Sequence, residues 1–201
     1  PGAVLVTGAV LVTRAVLVTS AVLVTSAVLV TGACWVTRAV LVTGAVLVTG
    51  ATTGFPLWVA MGVKEEKGVV VGFSPAGSEK EHVEKYNLPL EFHDVIIYTG
   101  FGFPGRDLIF TRSCDGMLFG CGRIGTIHEF TISFEDKKPI GIYEGDWKTD
   151  EVIKDILKNG HRPSDRIIFD GDPKALVEGV VKLVHQDKIN RASFHFQPLE
   201  V

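Results

Sequence analysis

Residues 116–126 read Gly-Met-Leu-Phe-Gly-Cys-Gly-Arg-Ile-Gly-Thr, and this stretch decides the fold. The apolar run Gly116–Phe119 predicts a strand, Gly120–Gly125 a glycine-rich turn, and Thr126–Glu135 a helix. Glycines let backbone N–H groups approach an anion closely, a helix N-terminus carries partial positive charge, and Arg123 could add a bidentate phosphate contact. Two interpretations follow: a phosphate-binding turn, or a tight turn without a ligand. The stretch matches neither the Walker A nor the dinucleotide-binding motif.

A second turn of the same kind, Gly50–Gly54, follows the predicted strand Val46–Thr49 and precedes a predicted helix. In an open parallel sheet such turns gather at the carboxyl ends of the strands, where ligands bind. Two turns of this kind facing one crevice favour a nucleotide site.

Short apolar runs alternate with helical patterns along the rest of the chain, which is typical of a parallel α/β sheet. The further predicted strands are Val69–Phe73, Val95–Tyr98, Pro139–Tyr143 and Arg166–Phe169. The further predicted helices are Pro56–Lys67, Glu79–Tyr86, Arg106–Ser113, Glu151–Lys158 and Pro173–Val184. Gly100–Gly105 is predicted to be a loop, and 185–201 a tail without a clear period.

Residues 3–50 are eight consecutive hexads of the form Ala-Val-Leu-Val-Thr-x, where x is Gly, Arg or Ser. The one internal departure is Ala33–Arg38. An even period keeps the alternation of a strand in register, and both faces are apolar, so each hexad is typical of a strand buried on both sides. The last hexad, Ala45–Gly50, is expected to be native structure of the following domain.

Four interpretations of the repeat compete. One is a β-solenoid, although eight hexads close few turns. The second is a membrane span, because Ala15–Thr37 is 23 residues without a charge. The third is an aggregation-prone segment. The fourth is a tandem expansion, or an assembly error, of a single hexad, and the sequence favours it because packing does not require such strict identity.

The repeat also distorts the composition. The chain has 201 residues with 20 basic and 23 acidic side chains, but Arg14 and Arg38 are the only charged residues before residue 51. Residues 51–201 therefore carry 18 basic and 23 acidic side chains, and their balance is that of an ordinary domain without the basic face that nucleic-acid binding needs. Three cysteines without a CxxC pair favour a reducing compartment, and the start lacks the features of a signal peptide. We expect a cytoplasmic protein divided into a repeat (1–44), an α/β domain (45–184) and a tail (185–201).

Two charged residues lie near the first turn. Glu129 follows Thr126 by three residues, on the helix face that carries the loop, where it could contact a ribose hydroxyl or stabilise a cationic transition state. It could equally be an acidic residue favoured by the helix dipole. Arg106, at the start of the preceding helix, is typical of a solvated surface residue. Three histidines have no metal-ligand spacing and are expected to be surface or hydrogen-bonding residues: His82, His93 and His128. Cys114 and Cys121 are expected to be buried core thiols.

Residues 106–129 resemble the LOG family of Rossmann-like proteins, in the branch called predicted Rossmann-fold nucleotide-binding proteins. The family pattern is an Arg nine residues before an Asp, then Pro-Gly-Gly-x-Gly-Thr-x-x-Glu. This chain has Arg106 and Asp115 at that spacing, and then Cys121–Glu129. Weaker likenesses are Thr52-Thr53-Gly54, Val71–Pro75 and His82–Pro89, so that the resemblance covers about residues 45–184.

The resemblance implies a three-layer Rossmann-like fold, a parallel sheet with helices on both faces. It also implies a site for nucleoside 5′-monophosphates, whose N-glycosidic bond the family's phosphoribohydrolases cut, with no metal or other cofactor. By position in the pattern, Arg106 and Glu129 are the implied catalytic residues. The implied nucleotide-binding residues are Thr53, Gly54, Gly122, Arg123, Gly125 and Thr126. Relatives of this type are commonly homodimers, with the site near the subunit interface.

Two departures from the family pattern bear on activity. Arg123 stands where the family has glycine, which reshapes the phosphate pocket. The family's first strand–turn–helix unit belongs before Val46, where the repeat lies instead. Three functions therefore stay open: a nucleotide-binding phosphoribohydrolase, a non-catalytic carrier of a nucleotide or of molybdenum cofactor, and a chain inactivated by repeat expansion.

Overall fold

A computed structural model describes residues 15–19 and 45–194, with side chains for residues 45–190. These ranges include most of the third hexad and all of the last one. The six other hexads of the repeat lie outside the described residues, and so does most of the predicted membrane span 15–37. The four interpretations of the repeat therefore stay predictions. In the described part of the chain, no helix combines the length and the apolar character needed to cross a membrane.

Strands and helices alternate through the described residues. The strands are β1 (Ala15–Thr19), β2 (Val46–Thr49), β3 (Val70–Ser74), β4 (Val95–Tyr98), β5 (Gly116–Phe119), β6 (Ile140–Tyr143) and β7 (Ile167–Asp170). The helices are α1 (Phe55–Glu65), α2 (Glu79–Glu84), α3 (Gly102–Arg112), α4 (Ile124–Glu135), α5 (Thr149–Asn159) and α6 (Pro173–Phe194).

All seven strands form one parallel sheet in the order β4-β3-β2-β1-β5-β6-β7. The predicted Rossmann-like α/β fold is confirmed. The sheet grows from β1 outward to β4, and the chain then crosses back to place β5 on the other side of β1. The strand order thus reverses between β1 and β5, and a ligand crevice is expected at the carboxyl ends of the strands around that point.

The central strand comes from the repeat. Strand β1 is the third hexad, and it pairs with β2 on one side and β5 on the other. The last hexad forms β2, as expected. Ala15 lies opposite Val46, so the two identical hexads are one residue out of step along the sheet. The repeat therefore supplies the first strand that the family pattern places before Val46.

Helices cover both faces of the sheet. On one face, α1 and α6 pack on β2 and β5 through a buried cluster that includes Leu47, Val59, Leu118 and Val180. On the other face, α3, α4 and α5 pack through a second cluster, which includes Phe110, Phe119, Phe130, Met117 and Ile153. Adjacent strand residues such as Met117 and Leu118 belong to opposite clusters, as the alternation of a strand requires.

Two predicted boundaries were wrong by four residues or more. Helix α3 begins at Gly102, inside the predicted loop 100–105, because Pro104 lies in the first turn, where proline costs no hydrogen bond. Helix α6 continues to Phe194, ten residues past its predicted end.

Candidate functional site

A cleft of about 450 Å³ lies at the carboxyl ends of β2 and β5, on either side of β1. Its walls are the turns after these two strands and the first turns of α3 and α4. The structure brings together six of the eight residues predicted for the site: Thr53, Arg106, Arg123, Gly125, Thr126 and Glu129.

The other two predicted residues do not line this cleft. Gly54 is the N-cap of α1, with a positive φ of 81° that suits glycine. Gly122 lines a neighbouring cleft, and its N–H donates to Thr149 Oγ1 at 2.8 Å. The same hydroxyl donates to the Gly122 carbonyl at 3.0 Å. The Gly122 N–H is thus already used inside the protein.

Arg106 is buried, which corrects the expectation of a surface residue. Its guanidinium Nη1 lies 3.8 Å from Glu129 Oε1, and its Nε lies 3.2 Å from Asp107 Oδ1. The guanidinium also lies 5.6 Å from the centre of the Phe103 ring and 5.5 Å from that of Phe110. Among the described residues, Arg106 Nε has no hydrogen-bond partner. Arg106 therefore lines the cleft as a buried guanidinium paired with Asp107 and Glu129.

Gly50 makes the space that Arg106 occupies. A Cβ at Gly50 would lie 1.9 Å from Arg106 Nη1. The residue that ends the last hexad therefore cannot carry a side chain while the guanidinium keeps this position. The sequence pattern offered no signal for this role, because x in the hexads is Gly, Arg or Ser.

Asp107 and His128, which were not predicted as site residues, extend the Arg106–Glu129 pair by two further contacts. His128 Nδ1 is 2.9 Å from Asp107 Oδ2, and Asp107 is buried. Together with Arg106 and Glu129 they form a chain of polar contacts that joins α3 to α4, which we call the cleft cluster. Its sequence signal is a pair of polar doublets, Arg-Asp on one helix and His-Glu on the next.

The N-terminus of α4 opens on the same cleft. The N-cap residue Arg123 makes no side-chain hydrogen bond to the helix, and Ile124, Gly125 and Thr126 form the first turn. The N–H groups of a first turn have no partner within the helix and carry partial positive charge. A Cβ placed on Gly125 would meet no described atom within 4 Å, so there is open space over this turn. The turn can therefore accept an anion such as a phosphate.

The cysteines of the described chain are buried thiols, as predicted. Burial raises the pKa of the Cys114 thiol to about 12 and also raises that of Cys121, beside the cleft. Neither is therefore a thiolate nucleophile near neutral pH. Within residues 15–19 and 45–194, no group of three His, Cys, Asp or Glu side chains converges on a metal position.

A buried charged cluster, an open helix N-terminus and a crevice at the strand-order reversal define a Rossmann-like α/β protein with a small-molecule cleft. The model of the SLOG cluster4 family (LDcluster4) matches residues 13–177, and the chain belongs to this family. The match begins within the repeat, next to β1.

Solved structures with the same fold have low sequence identity to this chain. TM1055, a structural-genomics target, has 22% identity over 86% of this chain and 99% of its own, with a TM-score of 0.69. The molybdenum cofactor binding protein of the phototrophic bacterium Rippkaea orientalis has 20% identity over 87% and 98%, with a TM-score of 0.65. The molybdenum cofactor carrier protein of Chlamydomonas reinhardtii has 22% identity over 86% and 97%, with a TM-score of 0.61. No curated protein matches the sequence.

Proposed function

We propose that this chain is a nucleotide-binding protein of the LOG type that hydrolyses the N-glycosidic bond of nucleoside 5′-monophosphates. The observation that carries the proposal is the buried Arg106–Glu129 pair, which lies in one cleft with the open N-terminus of α4. One part of the cleft can take a phosphate, and another presents a carboxylate to the sugar.

The phosphate would accept hydrogen bonds from the first turn of α4 and from the Arg123 guanidinium. This places the ribose over Glu129. Departure of the base leaves positive charge on the sugar ring, which the carboxylate stabilises while water adds to C1′. Arg106 pairs with Glu129 and holds the carboxylate in place at the cleft. The expected products are ribose 5-phosphate and the free base.

Turnover is tested by following release of adenine from AMP by chromatography. We expect Glu129→Gln to lower kcat by about 100- to 1,000-fold, because it removes the charge that stabilises the transition state and keeps the shape of the side chain. The matched control is Glu135→Gln in the same helix, where the carboxylate is exposed and pairs with Arg162. Equal loss in both variants, or no adenine release by the wild type, would contradict the hydrolase proposal.

The second candidate is a non-catalytic carrier of a nucleotide or of molybdenum cofactor. The observation in its favour is the shared fold with two proteins described as binding or carrying that cofactor. A carrier would be protected by its ligand in thermal unfolding without consuming it. Protection by AMP or by molybdenum cofactor without product would therefore favour the carrier over the hydrolase.

The third candidate, a chain inactivated by repeat expansion, predicts that the full chain fails to fold unless residues 1–44 are replaced by a strand–helix unit. The pairing of β1 with β2 and β5 supports a folded domain instead. Cooperative thermal unfolding of the full chain would exclude this candidate, and non-cooperative unfolding would favour it.

We also propose that the protein is a cytoplasmic homodimer. Apolar side chains are exposed on and beside α3, the helix that carries Arg106: Phe101, Leu108 and Ile109. A second copy packed on this face would cover them near the cleft. Light scattering should report a dimer that Leu108→Glu converts to a monomer, and a monomeric wild type would contradict the proposal.

The buried free thiols support the proposed cytoplasmic location, because free thiols persist in a reducing compartment.

A further inference from the structure

A second cleft of about 400 Å³ adjoins the proposed nucleotide cleft, at the carboxyl ends of β5 and β6. Arg123 and Ile124 line both clefts and form the ridge between them. Each cleft is within the size range of a small-ligand site, so the two together offer space for a ligand about twice that size.

Apart from Arg123, the polar side chains that line the second cleft are already paired within the protein. Thr149 Oγ1 bonds to the backbone of Gly122, and the Trp147 indole N–H donates to the Tyr143 carbonyl at 3.2 Å. Lys148 Nζ is 3.0 Å from a carboxylate oxygen of Glu151. A ligand entering here would therefore meet mainly apolar surface.

That apolar surface has the character of a stacking platform. Trp147 is held against Gly145, where an added Cβ would lie 2.5 Å from the indole ring, and against the Tyr143 ring at 5.1 Å. The indole therefore has a fixed position, and Ile127 and Val152 line the same cleft. A fixed aromatic ring with aliphatic neighbours binds the flat face of a heterocycle, whatever its hydrogen-bonding edge.

The ridge carries one residue for each part of such a ligand. Among the described residues, the exposed guanidinium of Arg123 has no hydrogen-bonded or ion-pair partner, and it can reach an anion from either cleft. Ile124 is 83% exposed, which is high for an isoleucine at the mouth of a cleft. A ligand confined to the first cleft leaves it exposed, whereas a ligand that crosses the ridge covers it.

We propose that the site takes a nucleotide that carries a second planar ring, with its phosphates on the ridge at Arg123 and α4 and its second ring against Trp147. This inference rests on the proposed nucleotide site and extends it into the second cleft. The ligand class is a dinucleotide, or another heterocycle joined to a nucleotide through phosphate.

The test compares ADP with diadenosine diphosphate by calorimetry on the full chain. The two ligands share one adenosine and the pyrophosphate and differ in the second adenosine, and the symmetry of the larger one makes its direction of binding irrelevant. We expect diadenosine diphosphate to bind at least about tenfold more tightly, since stacking of one base contributes about 1–3 kcal/mol. Equal affinity would overturn the inference while leaving nucleotide binding intact. Absence of binding by both ligands would overturn this inference, and titration of AMP in the same experiment would show whether the proposed nucleotide binding fails as well.

The variant that separates the two clefts is Val152→Glu, which places a carboxylate in the second cleft on an exposed face of α5. The same substitution at Val83 is the control, because both valines are 43% exposed and Val83 lines neither cleft. We expect Val152→Glu to remove the advantage of diadenosine diphosphate and to leave ADP affinity within about twofold. Loss of ADP affinity to the same extent, or no change for either ligand, would contradict the placement of the second ring.

Discussion

Two clusters, each containing a histidine, differ in how fully their buried polar groups are paired. In the first, which we call the scaffold cluster, the fully buried His82 ring bonds to Ser74 Oγ at 2.8 Å and to the Pro89 carbonyl at 3.0 Å. Both ring nitrogens therefore have partners. In the cleft cluster, Arg106 is also buried, and its Nε lies 3.2 Å from Asp107 Oδ1 without a hydrogen bond among the described residues.

The two clusters also differ in location, because the scaffold cluster does not line the cleft, whereas Arg106, Asp107 and Glu129 do. Loss of a buried hydrogen bond costs stability, and a charged group that lines a cleft can bind a ligand. Substitutions in the scaffold cluster should therefore lower the free energy of unfolding, and substitutions around the cleft cluster should lower nucleotide affinity. A substitution that changes both the stability and the nucleotide affinity would contradict this separation of roles.

The largest effect is expected from His82→Ala. The change removes both hydrogen bonds of a fully buried ring and opens a cavity, so we expect a loss of about 3 kcal/mol in the free energy of unfolding. Urea denaturation measures the loss, and AMP affinity should be unchanged. The comparison is His128→Ala in the cleft cluster, where the side chain is 44% exposed and the loss should be under about 1 kcal/mol. Similar losses at both positions would contradict the separation of roles.

Gly50→Ala should act on the cleft without unfolding the protein. The added Cβ would meet the far end of the Arg106 side chain, which can move, so we expect AMP affinity to fall by about tenfold or more while the unfolding midpoint changes little. Gly77→Ala is the control, because the nearest atom to its Cβ would be 3.4 Å away. Calorimetric titration of both variants gives the answer. Unchanged AMP affinity in Gly50→Ala would show that the position of Arg106 does not matter for binding.

Asp107→Asn should have a smaller effect of the same kind. It keeps the shape of the side chain but removes the charge beside His128 and Arg106, and we expect about a fivefold loss of AMP affinity. The reference is Asp115→Asn, which breaks the pair with Lys188 outside the cleft. If the two variants bind AMP equally well, Asp107 does not position Arg106.

The smallest effect concerns the pH dependence of stability. Burial lowers the pKa of His93, whose Nε2 is 2.9 Å from Thr49 Oγ1. The unfolded chain then binds a proton below about pH 6.5 that the folded chain resists, so stability should fall as the pH drops from 7 toward the folded pKa. We expect the unfolding midpoint to fall less between pH 7 and 5.5 in His93→Gln than in the wild type. An equal fall of the unfolding midpoint in both proteins would show that His93 does not contribute to the pH dependence of stability.

The fold could be predicted because its signals are local. Apolar runs of four or five residues bounded by glycine and polar residues gave β4 and β5 their observed limits, Val95–Tyr98 and Gly116–Phe119. The start of α3 was missed because Gly102 and Pro104 are typical of loops, although proline is accepted in a first helical turn. The role of 15–19 could not be predicted, since eight nearly identical hexads give no reason to choose one as the central strand.

The site was predictable only in part, because its key contacts join distant segments. Gly125 and Glu129, which belong to one motif, both line the cleft. The burial of Arg106 depends on Gly50, which is 56 positions away in the sequence, and the role of Asp107 depends on His128 in another helix. Residue spacing within one helix carries no information about either contact.

We propose that the cleft binds a nucleotide through its phosphate, which lies at the N-terminus of α4 near Arg106. Calorimetric titration of the full chain with AMP and with adenosine tests it most directly, because the two ligands differ only in the phosphate. We expect AMP to bind at least about thirtyfold more tightly than adenosine, and we expect Arg106→Gln to abolish most of this difference. Equal affinity for the two ligands, or an undiminished preference for AMP in Arg106→Gln, would contradict it.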